Sequence, residues 1–72
     1  MNLVIIQILD CVTNGGKVIG APCVFPFKYM GVTYETCTIR DGIKPWCYTE
    51  VDSLKNGIIG KYGHCSPECL SM

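Results

Sequence analysis

The sequence predicts a small disulfide-rich domain of two short antiparallel hairpins with large loops and little or no helix. Three observations carry that expectation. The chain has 72 residues with six cysteines, and six of its seven aromatic rings are interleaved with three of those cysteines inside residues 22–49. No window keeps helical periodicity over the length that a stable helix needs, because Gly and Pro recur too often. A single domain of this size buries too little surface to be held by its apolar core alone. An even number of cysteines at this density reads as a disulfide framework formed in an oxidising compartment, which places the protein outside the cytosol as a secreted, extracellular one. Each bridge typically contributes about 2–4 kcal/mol, so three rival the net stability of the domain, and reduction should unfold it.

Residues 1–10, MNLVIIQILD, hold an apolar run from Leu3 to Leu9 interrupted by Gln7, too short to span a bilayer. The stretch reads either as the remnant of a secretory signal, although it lacks a charged start and a small-residue cleavage site, or as an extension that lies along the domain or is disordered. The domain is expected at residues 11–69, with 70–72 as a tail. In residues 11–21, Asn14-Gly15-Gly16 and Gly20 favour positive φ and read as turns around Lys17-Val18-Ile19. Pro22 restricts Ala21 to extended geometry. Phe25, Phe27 and Tyr29 then alternate, Met30-Gly31 interrupts, and Val32, Tyr34 and Thr36 alternate again. That is the period of strand, tight turn, strand, and it makes the first hairpin. Asp41-Gly42 is the next turn signal, and Pro45-Trp46-Cys47-Tyr48-Thr49 has the content of a strand. Residues 50–59 read as a polar loop with a turn at Asn56-Gly57, after which residues 60–65 return antiparallel to the Trp46 segment as the second hairpin. There is no internal repeat, low-complexity segment or N-x-S/T triplet.

The six basic and six acidic residues balance to zero net charge, and neither sign clusters. Nucleic acid and acidic membrane surfaces need a basic face, so that class of partner is not expected. Catalysis is not expected either. His64 is the one histidine, and neither a nucleophile elbow nor an HExxH motif is present. A zinc site from His64, Cys65 and Cys69 fits poorly, since adjacent ligands suit tetrahedral chelation badly and CxxC spacing is missing. Disulfides are favoured over metal, and no cofactor is implied.

The run Cys23-Val24-Phe25-Pro26-Phe27-Lys28-Tyr29-Met30-Gly31-Val32-Thr33-Tyr34, followed by Cys37-Thr38, Trp46-Cys47, Thr49 and Tyr62-Gly63-His64-Cys65, resembles a fibronectin type II domain. The Pro45-to-Thr49 segment with Cys65-Ser66-Pro67-Glu68-Cys69 is similar to the kringle signature, and both families share the kringle-like fold. The resemblance implies Cys23–Cys47 and Cys37–Cys65 as inner bridges and Cys11–Cys69 as an outer clasp. Six cysteines allow fifteen pairings, and spacing alone does not select among them. The implied clasp ties the chain ends and closes the longest loop, so it should matter for stability more than for ligand binding.

Fibronectin type II domains are extracellular modules that bind collagen or gelatin, or in some cases choline phospholipids, on an exposed aromatic surface, and the resemblance implies such a role. Rings supply rigid contact area and attract quaternary ammonium groups. Tyr29, Tyr34, Trp46, Tyr48 and Tyr62 are the candidates. Phe25 and Phe27 read as core, Tyr34, Trp46 and Tyr62 are divided between packing and binding, and Tyr29 and Tyr48 tilt toward exposure. Arg40 falls where the resemblance puts a ligand-contacting arginine, whose fork suits backbone carbonyls, against a plain solvated charge or an ion pair with Asp41. Only Asp41, with Lys44 beside it, stands near the position of the anionic pair that lysine-binding kringles carry before the tryptophan, which argues against that activity. His64 and a long 47–65 interval depart from the type II pattern and point to a remodelled face. The expected partner is a collagen- or gelatin-like extracellular protein, or a choline phospholipid or glycan. Two alternatives stand beside it: an accessory module of a secreted mosaic protein such as a modular serine protease, and a stand-alone inhibitor or toxin presenting loop 54–59.

Overall fold

Alternating aromatic residues form the first hairpin in the computed structural model, which describes residues 11–71; the N-terminal stretch read as an extension or signal remnant lies outside the described residues. Strands β2 (Phe27–Tyr29) and β3 (Val32–Tyr34) pair antiparallel, with Phe27 opposite Tyr34 and Tyr29 opposite Val32. Met30 and Gly31 between them have φ of 52° and 80°. Positive φ at both central residues gives a two-residue loop whose twist matches the strands it joins.

The second hairpin forms as expected. Strand β4 (Trp46–Tyr48) runs antiparallel to β5 (Tyr62–Cys65), pairing Trp46 with His64, Cys47 with Gly63 and Tyr48 with Tyr62. Strand β1 (Thr13–Gly15) adds to the other side of β5, giving the order β1-β5-β4. Here the structure departs from the turn expected at Asn14-Gly15. The register slips between Thr13 and Gly15, as at a bulge, and the glycines serve close approach. A Cβ on Gly15 would come within 3.3 Å of His64 Nδ1, and one on Gly16 within 3.1 Å of the Gly63 backbone.

Asn56-Gly57 is likewise not the turn of its loop. The chain reverses one step earlier, where the Lys55 amide donates to the Asp52 carbonyl and Lys55 has φ 75°. Asn56 and Gly57 instead bridge to Lys28 and Val51, which docks the loop on the outer edge of β2. The Lys28 amide donates to the Lys55 carbonyl at 2.8 Å and the Gly57 amide to the Lys28 carbonyl at 3.2 Å.

Rings and sulfur make up the core. Phe27, 0% exposed, has its ring centroid 5.4–5.6 Å from those of Tyr34, Trp46 and Tyr48, while Phe25 packs half-buried at the margin. The bridges are Cys11–Cys69, Cys23–Cys47 and Cys37–Cys65, with Cα separations of 4.8, 5.7 and 6.6 Å, the pairing that the resemblance implied. The two inner ones tie the entry and post-hairpin segments to β4 and β5. The clasp joins Cys11, two residues before β1, to a short 3-10 segment, Pro67–Ser71. Among the described residues there is no α-helix, and no helix long and apolar enough to cross a membrane.

Candidate ligand-binding pocket

Thr38 and Trp46 close the loop between the two sheets, each amide donating to the other's carbonyl at 3.1 and 2.9 Å. Within it the Gly42 amide donates to the Ile39 carbonyl at 3.0 Å, and Asp41, at the third position of this turn, has φ 59°. Aspartate tolerates that left-handed conformation better than most residues. The Arg40 carbonyl, in the middle of the turn, accepts the Trp46 indole Nε1–H at 2.8 Å. A buried indole usually needs such a partner, and Trp46 is only 8% exposed.

Three tyrosines stand edge-on to the pinned indole: Tyr29, Tyr48 and Tyr62, at centroid distances of 5.1, 5.2 and 6.2 Å. The Tyr29 hydroxyl donates to Asp41 Oδ2 at 2.7 Å. Arg40 lies 5.7 Å above the Tyr29 ring, and its Nη1 donates to the Tyr34 hydroxyl at 3.1 Å. Two side chains of the turn are therefore fastened to two rings of the hairpin.

An open pocket of about 370 Å³ lies among them. Tyr29, Arg40, Trp46, Tyr48 and Tyr62 are in its wall, together with Asp41, Gly42, Ile43, Lys44 and His64, which residue type alone had not marked as ligand contacts. His64 is there because β5 pairs it with Trp46, a register that the expected second hairpin left open. Tyr34 is not in the lining; it packs behind, against Phe27, and holds Arg40. Trp46 both packs and lines, Tyr29 and Tyr48 are half-buried, and Tyr62 is 38% exposed.

The walls are aromatic and the rim carries both signs. The bond to Asp41, followed by burial and the carboxylate's charge, raises the Tyr29 phenol above its ordinary value; burial raises that of Tyr48. The hydrogen bond to Tyr34 holds Arg40 still more firmly cationic. Five sulfurs, of Cys11, Cys23, Cys37, Cys65 and Cys69, lie within 4.8 Å of one another, but all are oxidised in bridges and offer no thiolate to a metal.

The family model for the fibronectin type II domain matches residues 23–65, from the first inner cysteine to the last and across the whole pocket. The chain belongs to the fibronectin type II family. Among relatives of this fibronectin type II domain, the 72 kDa type IV collagenase of Gallus gallus is 40% identical over 62 residues, covering 82% of this chain and 9% of the collagenase. Matrix metalloproteinase-9 of Canis lupus familiaris is 36% identical over 67 residues, covering 89% of this chain and 9% of that protein. The human cation-independent mannose-6-phosphate receptor is 52% identical over 33 residues, 46% of this chain and 1% of the receptor. The chain thus spans less than a tenth of the length of each. The Cys11–Cys69 clasp lies outside the residues that the fibronectin type II model matches.

Proposed function

We propose that this fibronectin type II domain is a non-catalytic, extracellular module that takes an extended, collagen- or gelatin-like protein chain into the pocket around Trp46. The observation that carries the reading is the pinned indole with three tyrosines edge-on to it and Arg40 at the lip. An extended proline-rich chain has no internal hydrogen bonds, so its carbonyls are open to a guanidinium while its rings and apolar side chains can pack on aromatic walls. Two of the relatives are named as a type IV collagenase and a matrix metalloproteinase. The short span of each that this chain covers supports an accessory module, of residues 11–69, within a larger secreted mosaic protein.

Asp41 among the rings favours choline as a second ligand, because a quaternary ammonium group is drawn to aromatic faces and to a carboxylate. Gelatin–agarose retention of the oxidised domain, with and without phosphorylcholine, separates the two readings. Tyr62→Ala and Arg40→Ala, both at exposed positions, are expected to weaken gelatin binding at least tenfold with the melting temperature unchanged. If both variants bind gelatin like the parent, the pocket is not the contact surface.

A further inference from the structure

The three bridges touch one another, and they do so asymmetrically. Cys11 Sγ lies 3.2 Å from Cys23 Sγ and 3.6 Å from Cys37 Sγ, so one end of the clasp contacts both inner bridges. These are packing contacts, since oxidised sulfur has no proton to donate. Cys69 Sγ lies 3.6 Å from Ser66 Oγ and 3.8 Å from the Val12 carbonyl oxygen, and the sulfurs of Cys23, Cys37 and Cys65 are each within 4.8 Å of it. We propose that the clasp is a redox-sensitive trigger: once Cys11–Cys69 is reduced, the freed Cys11 attacks Cys23 and passes the break to the bridge that anchors the pocket.

The steps balance with one external reagent, a dithiol. It gives two electrons and two protons to Cys11–Cys69, becoming a disulfide itself and leaving Cys11 and Cys69 as thiols. The Cys11 thiolate then bonds to Cys23 Sγ while the Cys23–Cys47 bond breaks. The electron pair leaves on Cys47 Sγ, which takes up the proton that Cys11 lost. No further oxidant or reductant is consumed in this exchange. Burial disfavours a thiolate on Cys47, which is 0% exposed, and slows the step. Contact between the reacting sulfurs opposes that brake, because reactants held together act at high effective concentration. Cys47 is the central residue of β4, between Trp46 and Tyr48, so freeing it unties two walls of the pocket from the Cys23 segment.

Two single variants read the asymmetry without any reductant. Cys69→Ala leaves Cys11 unpaired, 3.2 Å from Cys23 Sγ, whereas Cys11→Ala leaves Cys69 unpaired beside Ser66 Oγ and the Val12 carbonyl, near the inner sulfurs but without that contact. After incubation near pH 8, alkylation and disulfide mapping by mass spectrometry, Cys69→Ala is expected to carry Cys11–Cys23 with Cys47 alkylated, and Cys11→Ala to keep both inner bridges. A free Cys11 with Cys23–Cys47 intact, or equal rearrangement of the two variants, overturns the proposal. Should a variant fail to fold, brief treatment of the unsubstituted chain with dithiothreitol gives the same answer. The first species with two thiols is expected to be alkylated at Cys69 and Cys47, and any other pair overturns the proposal. No ligand enters these measurements, so they stand or fall apart from the proposed function.

Discussion

The backbone of Gly57 lies against the ring of Tyr48, so close that a Cβ built on Gly57 would overlap the ring carbons. Gly57 does not need a left-handed φ; it needs the space. Gly57→Ala must therefore push Tyr48 into the pocket or lift the loop off β2. We expect a loss of about 1–3 kcal/mol in urea unfolding, the usual cost of overpacking, together with weaker gelatin binding. Gly20 is the contrast, with φ 80° and nothing within 4 Å of its would-be Cβ. Gly20→Ala should be destabilised by backbone strain alone, by about 1 kcal/mol, and bind as the parent does.

Asp52 organises the loop that carries Gly57. Its Oδ1 accepts the Asn56 and Leu54 amides, each at 2.9 Å. Those bonds, the one from Asn56 foremost, hold its carboxyl below the usual aspartate value. The depressed value makes the contribution to stability complete above the ordinary aspartate pKa of about 3.9 and lost as pH falls through the lower folded one. NMR titration should find the Asp52 midpoint below 3.9, the Asn56 amide shift moving with the same midpoint, and both effects removed by Asp52→Ala.

The Tyr29–Asp41 bond gives the opposite sign. A raised phenol pKa means a contribution that is whole below about pH 10 and lost as pH rises through the higher folded value. Asp41→Asn keeps a residue that tolerates the left-handed turn but removes the charge. Its Tyr29 ring, followed by NMR, should titrate closer to 10 than the parent's, with Arg40 and the Trp46 indole undisturbed.

Local chemistry carried both hairpins into view, because alternation and a two-residue Met30-Gly31 turn are short-range signals. Strand β1 was hidden for the same reason. Asn14-Gly15 looks like a turn to any local reading, and what makes it a strand is Gly63 and His64, far along the chain. Asn56-Gly57 looks like a turn for the same reason, while Asn56 bridges to Lys28 of β2 and Gly57 to Val51. In the pocket, residue type singles out the rings and the resemblance Arg40, but only the closed turn brings in Asp41 and Lys44. Nothing local separates Tyr34, behind the core, from Tyr29, in the wall. The disulfide pairing was legible through family resemblance alone.

The clasp is the last test, and loop length sets its size. Cys11 and Cys69 are 58 residues apart, against 24 and 28 for the inner pairs. In the chain-entropy model such a loop corresponds to about 4 kcal/mol, and the inner ones to about 3.5 kcal/mol each. Neither Cys11 nor Cys69 lines the pocket. The double variant Cys11→Ala/Cys69→Ala should lose about 4 kcal/mol in urea unfolding, yet keep both inner bridges and bind gelatin within about twofold of the parent while folded. If binding fell along with stability, the clasp would be holding the pocket's shape, and stability and recognition would not be separable in this module.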